Sequence, residues 1–179
     1  MIIEPDNIYC MDCLEGMKAM KDKSVDLVLT DPPYSAGINR TFNDNISEIK
    51  KLNTLQGNYI LIIFTSPSKI GYVIKNIEAN FKRILWWYKP NDIAHCWHGF
   101  QMVSECILIF EKGKVCYPKF HGAIHDIFIQ CNSKGIHPCQ KPISILEDLI
   151  VRLSKEGDLI LDPFLGSGTT AIAAIKTNR

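Results

Sequence analysis

At 179 residues, 46% of them hydrophobic, the chain can bury one sizeable core, and its length predicts a single domain over 1–179 rather than two. A net charge of +1 excludes a uniformly basic or acidic surface as the basis of function. The longest apolar runs, at 59–64 and 107–110, are far short of a membrane span, and no basic and then apolar leader follows Met1, so the reading is a cytoplasmic protein without a membrane partner.

In chain order, short β-type runs alternate with helical patterns, the signature of a parallel sheet with crossover helices. Residues 7–10 read as a strand end, 14–21 as a helix and 25–30 as a buried strand. After a polar stretch at 35–45 come a short helix, a strand at 59–64 and a helix from 69 to 79. The β-branched and aromatic runs 84–88 and 103–110 read as strands. Residues 112–136 hold Gly113, Pro118, Gly122, Asn132 and Gly135 and read as irregular. Order returns with an amphipathic helix at 143–153, a strand at 159–161 and a helix at 169–176. The seven cysteines are an odd number in no secreted pattern, which points to reduced thiols. Cys10-x-x-Cys13 and His95-Cys96-Trp97-His98 lack the paired spacing of a zinc site, so no metal is expected.

Two motifs carry chemistry. Asp31-Pro32-Pro33-Tyr34 directly follows the strand 25–30, and in an open α/β sheet ligands bind at the carboxyl ends of strands. Its prolines hold φ at about −65° and remove two amide donors, leaving a stiff loop of carbonyls, a carboxylate and an aromatic face. An exocyclic amino group is a poor nucleophile because its lone pair is delocalised into the ring. Two acceptors holding both hydrogens draw it toward tetrahedral geometry and aim the lone pair at a methyl donor. Asp31 Oδ and the Pro32 carbonyl are the candidate acceptors, and Tyr34 the stacking ring. Taken alone, the tetrapeptide also reads as a proline-rich turn with a capping Asp.

The second motif, Asp162-Pro163-Phe164-Leu165-Gly166-Ser167-Gly168-Thr169-Thr170, follows a strand and opens a helix. Glycines there let backbone approach a ligand closely, and a helix N-terminus favours a carboxylate. No Lys precedes the threonine pair and no G-x-G-x-x-G is present, which excludes a P-loop and weakens dinucleotide binding. A glycine-rich strand-to-helix turn of purely structural use is the alternative.

With His137-Pro138-Cys139-Gln140-Lys141-Pro142 between them, these stretches resemble the amino-methyltransferases of the permuted β class, of phage or restriction-modification type, in which the catalytic loop precedes the cofactor loop. The likeness extends to Trp87-Tyr88-Lys89-Pro90-Asn91 and Ser104-Glu105-Cys106-Ile107-Leu108. It implies an open, doubly wound, mostly parallel Rossmann-like sheet, circularly permuted, with an antiparallel strand near one edge. It also implies S-adenosylmethionine as cofactor and duplex DNA as partner. Asp31, Pro32, Pro33 and Tyr34 would then form the catalytic loop. The cofactor would be held by Asp12, His137, Lys141, Asp162, Pro163, Phe164, Gly166, Ser167, Gly168, Thr169 and Thr170. Asp rather than Ser at the head of the tetrapeptide favours N6 of adenine; N4 of cytosine, and a truncated DNA-binding remnant without activity, are the alternatives.

The charge distribution fits a nucleic-acid partner: residues 81–141 carry 8 basic and 4 acidic side chains, a local excess that phosphates attract by counterion release. Lys89, His95, Lys112, Lys114, Lys119 and Lys134 are the candidate DNA contacts. The segment 112–136 occupies the family's target-recognition position and is short, which suggests a recognition site of few base pairs or a homodimer. The resemblance further implies a strand after the last helix, lying between the first strand and the one ending at Leu161. The sequence stops at Arg179, where that strand should begin, so a C-terminal strand is expected to be missing.

Overall fold

Runs that are apolar at every position form the middle of the sheet. The structure, a computed structural model, describes residues 3–33, 46–91, 96–97, 100–119, 123–131 and 140–179. Strands β1 (Leu27–Thr30) and β2 (Tyr59–Thr65) are buried at every residue, as strands covered on both faces must be. With β3 (Asn80–Tyr88), β6 (Ser104–Lys112), β7 (Ile127–Ile129) and β8 (Ile160–Leu161) they make one sheet in the order β7-β3-β6-β2-β1-β8. A separate two-stranded ladder joins β4 (Cys96–Trp97) to β5 (Phe100–Gln101).

Five strands of the large sheet run one way and β6, antiparallel to both neighbours, runs the other. The carboxyl ends of β1, β2, β3 and β8 therefore share a rim with the amino end of β6. Helices cover both faces. Leu27, Leu29, Ile62 and Trp87 pack with α4 (Ile143–Leu153) and α5 (Thr169–Lys176) on one side. Val28, Leu61, Ile63 and Leu108 pack with α1 (Cys13–Ala19), α2 (Ile46–Lys51) and α3 (Ile70–Asn76) on the other. This is the expected open, doubly wound, mostly parallel architecture. No helix among the described residues is long and apolar enough to cross a membrane.

Three expectations need correction. Residues 7–10 form no strand: a strand exists only through its ladder, and among the described residues β8 pairs with β1 alone. Where a further strand was expected, a groove of about 540 Å³ separates residues 3–9 from β8. The helix placed at 69–79 ends at Asn76, because Ile77 turns into the core and β3 starts at Asn80. Within the segment read as irregular, β7 pairs with Trp86–Tyr88, and Trp87 Nε1 donates to the Gln130 carbonyl at 2.8 Å. Only three residues long and largely exposed, β7 lacks the apolar period that marks a strand in sequence.

Candidate active site

Both chemical motifs arrive at the shared rim because each directly follows a parallel strand, Asp31 after β1 and Asp162 after β8. They line one cleft of about 500 Å³, floored by Phe64 and walled by Lys141 and Leu146. Thr30, 1% exposed, donates through Oγ1 to Asp162 Oδ1 at 2.6 Å, and the Phe164 amide donates to the same oxygen at 3.0 Å. The Thr170 hydroxyl is a further donor. Burial pushes the Asp162 carboxyl above its usual range, against the pull of those three donors. Asp162 thus ties the tip of β1 to the glycine turn.

The turn uses its glycines for backbone shape. Gly166 and Gly168 have φ of 55° and 78°, and Gly168 caps α5 in the left-handed conformation. A Cβ built on Gly168 would meet no atom within 4 Å, so an alanine there pays only for conformation, about 1–2 kcal/mol. Gly168→Ala is expected to lower the melting temperature by roughly 2–4 °C per kcal/mol and to weaken cofactor binding. Thermal unfolding and calorimetric titration check both. Ser167 and Thr169 pair their hydroxyls at 2.9 Å, and Thr169 and Thr170 are buried.

A chain of alternating charges crosses the rim. Lys89 Nζ lies 3.2 Å from Glu105 Oε1, Glu105 Oε2 lies 3.3 Å from Lys141 Nζ, and Lys141 Nζ lies 2.5 Å from Asp31 Oδ2. Lys141 also stands over the Phe64 ring at 5.5 Å and Lys89 over the Trp87 ring at 5.4 Å. Burial drives the Asp31 carboxyl up to about 6; Lys141 opposes this, and the negative charges of Glu105 and Asp162 add to it. Burial alone would depress the Lys141 ammonium, but the attraction of Asp31 and then Glu105 outweighs it and leaves its pKa raised. The other oxygen, Asp31 Oδ1, is sealed from solvent and has no hydrogen-bond partner among the described residues. Such an acceptor costs about 1–3 kcal/mol until a donor arrives.

The structure redistributes several expected roles. Lys141, which the sequence placed with the cofactor, lines the cleft with the glycine turn and sits on the Asp31 carboxylate. Asp12 caps α1 through the Leu14 and Glu15 amides and pairs with Lys51 at 3.1 Å. It lines neither cavity, although its neighbours Met11 and Cys13 line the groove. Pro163 lines that groove, Pro32 is buried and Pro33 exposed. Lys89 is 8% exposed and paired, which corrects its reading as a surface phosphate contact. Lys112 donates to the carbonyls of Asn53 and Leu55, and since it pairs with Tyr59, the first residue of β2, it lies at the end of the sheet remote from the cleft. Lys114 follows at that same remote end, its amide donating to Asn58 Oδ1, and Lys119 is exposed. Tyr34, His95, Lys134 and His137 lie outside the described residues. Among the described residues no His, Cys, Asp and Glu groups of three or more are placed to hold a metal. Sequence reasoning missed Thr30 and Glu105 as site residues; the one available signal for Glu105 was an acid directly before the apolar run 106–110.

The groove beside residues 3–9 and the cleft meet at Asp162, Leu165 and Thr170, which line both, so the site suits an elongated ligand. Residues 119–179 match a family profile for N6/N4 methyltransferases described as DNA methylase. The type II methyltransferase M2.DpnII of Streptococcus pneumoniae is 35% identical over 217 residues, spanning 94% of this chain and 80% of that protein. A crystal structure of M1.HpyAVI in complex with SAM superposes with a TM-score of 0.72 at 26% identity, covering 96% of this chain and 88% of that one. The cytosine-N4-specific PvuII DNA methyltransferase shares the fold, with a TM-score of 0.76 at 18% identity over 99% of this chain and 80% of its own.

Proposed function

The chain belongs to the DNA methylase family of S-adenosylmethionine-dependent N6/N4 methyltransferases, and from that premise we propose that it methylates N6 of adenine in duplex DNA at the cleft beside Asp31. The observation that carries this reading is Asp31 Oδ1, a buried acceptor lacking a donor in the cleft shared with the glycine turn. Asp at the head of the tetrapeptide supports adenine over cytosine.

S-adenosylmethionine, when bound, supplies a methyl group on a positively charged sulfur. The residues that would hold it are the turn 164–168 with Thr169 and Thr170, where the start of α5 favours a carboxylate. The groove beside residues 3–9 would take the rest of the molecule. A base inside a duplex must be rotated out of the stack at a cost of a few kcal/mol, and Tyr34 is the residue proposed to stack on it. Asp31 Oδ1 and the Pro32 carbonyl accept the two amine hydrogens, which localises the lone pair on nitrogen. After transfer the nitrogen is cationic until it sheds a proton, and the Asp31 carboxylate stabilises that charge.

This role requires ionised Asp31. With its carboxyl at about 6, kcat/KM is expected to fall through an acid limb centred near that value, tenfold per unit below it, and to level off above about pH 7. A flat kcat/KM between pH 5 and 7 would contradict it. The assignment itself is tested with the full chain, labelled cofactor and unmodified duplex DNA, followed by identification of the modified nucleoside. N6-methyladenine is expected; N4-methylcytosine would replace the adenine reading, and DNA binding without product would leave a non-catalytic remnant.

A further inference from the structure

Four charges in a row at a largely buried rim are costly to desolvate, and apolar replacements of such networks are often as stable or more so. The row here ends on the carboxylate assigned to the amine, and its members come from four separate places: Lys89 after β3, Glu105 in β6, Lys141 before α4 and Asp31 after β1. Lys141 is 6% exposed and is gripped from both sides, by Glu105 Oε2 and Asp31 Oδ2. Glu105 is gripped in turn, its other oxygen taken by Lys89, which is fixed through its amide to the Val103 carbonyl at 2.7 Å. One Asp31 oxygen is thereby committed and the other is not.

We propose that Glu105 is a positioning residue for the methyl transfer: it anchors the Lys141 ammonium on Oδ2 of Asp31, so that Oδ1 stays uncommitted for the incoming amine. The inference rests on the function proposed above. Without an acceptor on the side away from Asp31, the ammonium loses a restraint on which of the two Asp31 oxygens it takes, including the one the amine needs. A second acceptor on the far side of Lys141 supplies that restraint. Among the described residues, the groups facing Asp31 include Lys141, Glu105 and Asp162, and those facing Glu105 include Lys89 and Lys141.

The test compares Glu105→Ala and Glu105→Gln with the parent chain, measuring kcat for DNA methylation across pH and cofactor affinity. The Ala variant, which removes the far-side acceptor of Lys141, is expected to lose at least tenfold in plateau kcat while cofactor affinity changes less than threefold. The Gln variant keeps one acceptor oxygen for the two ammoniums of Lys89 and Lys141 and is expected to have a plateau kcat between those of the Ala variant and the parent. Both remove a negative charge facing Asp31, so in both the acid limb moves to lower pH. An Ala variant with near-parental kcat, or an acid limb unmoved in both, overturns the proposal, as does a Gln variant as slow as Ala. Should the Ala variant fail to fold, the plateau kcat of the Gln variant decides alone: a value equal to the parent's overturns the proposal. A parent that methylates no DNA overturns the functional reading and this inference together, whereas an active parent with unaffected variants overturns only the inference.

Discussion

Asp31→Asn is expected to lower kcat by about 10²–10³-fold, the usual scale for removing one preorganised polar group aimed at developing charge, with little change in folding. The reason lies in Lys141. Its buried ammonium, 2.5 Å from Oδ2, requires an acceptor, so the single oxygen of an asparagine turns toward it. The amide NH2 then takes the place of Oδ1 and presents donors to an amine that is itself a donor. The variant loses an acceptor and also the negative charge that offsets the cationic nitrogen formed during transfer. Single-turnover methylation with labelled cofactor measures this; cofactor affinity within threefold of the parent confirms that the site is otherwise intact. A rate within threefold of the parent would remove Asp31 from the mechanism.

Asp162→Ala is expected to be the most damaging change to the architecture of the site. It strands the Thr30 hydroxyl and the Phe164 amide, which now share Oδ1 at 2.6 and 3.0 Å, together with the Thr170 hydroxyl. Each buried group left unpaired costs about 1–3 kcal/mol, and partial relaxation brings the sum to roughly 3 kcal/mol. For a chain of this size that corresponds to a melting point lower by roughly 6–12 °C. The glycine turn would also lose its tie to the tip of β1, so cofactor affinity is expected to drop at least tenfold. Asp162→Asn keeps one acceptor, and the threonine hydroxyls can rotate to accept from its NH2, so it should cost about 1 kcal/mol. Equal effects of the two substitutions would show that hydrogen bonding at this carboxylate is not what holds the turn.

Much of the fold was legible because its signals are local. The continuous apolar runs of β1 and β2 announce strands covered on both faces. The helix after Pro142 follows from its apolar period, and the start of α5 from the glycines before Thr169. Residues 7–10 were misread because β-type composition does not supply a partner strand, and β7 was missed because its pairing with β3 carries more information than its three residues do.

The sequence by itself determined that a carboxylate-bearing proline loop and a glycine turn each follow a strand, hence that both stand at strand tips, and the resemblance of these loops to a methyltransferase family implied their chemistry. Tertiary structure decided what those groups touch. Lys141 meets Asp31 across 110 positions and Thr30 meets Asp162 across 132, contacts set by strand order and register rather than by any local pattern. The reversed direction of β6 is what carries Glu105 to the rim and Lys112 away from it. Alternation along a strand tells which face a side chain takes, but which end of the sheet it reaches depends on the direction the strand runs, and only the packed sheet settles that.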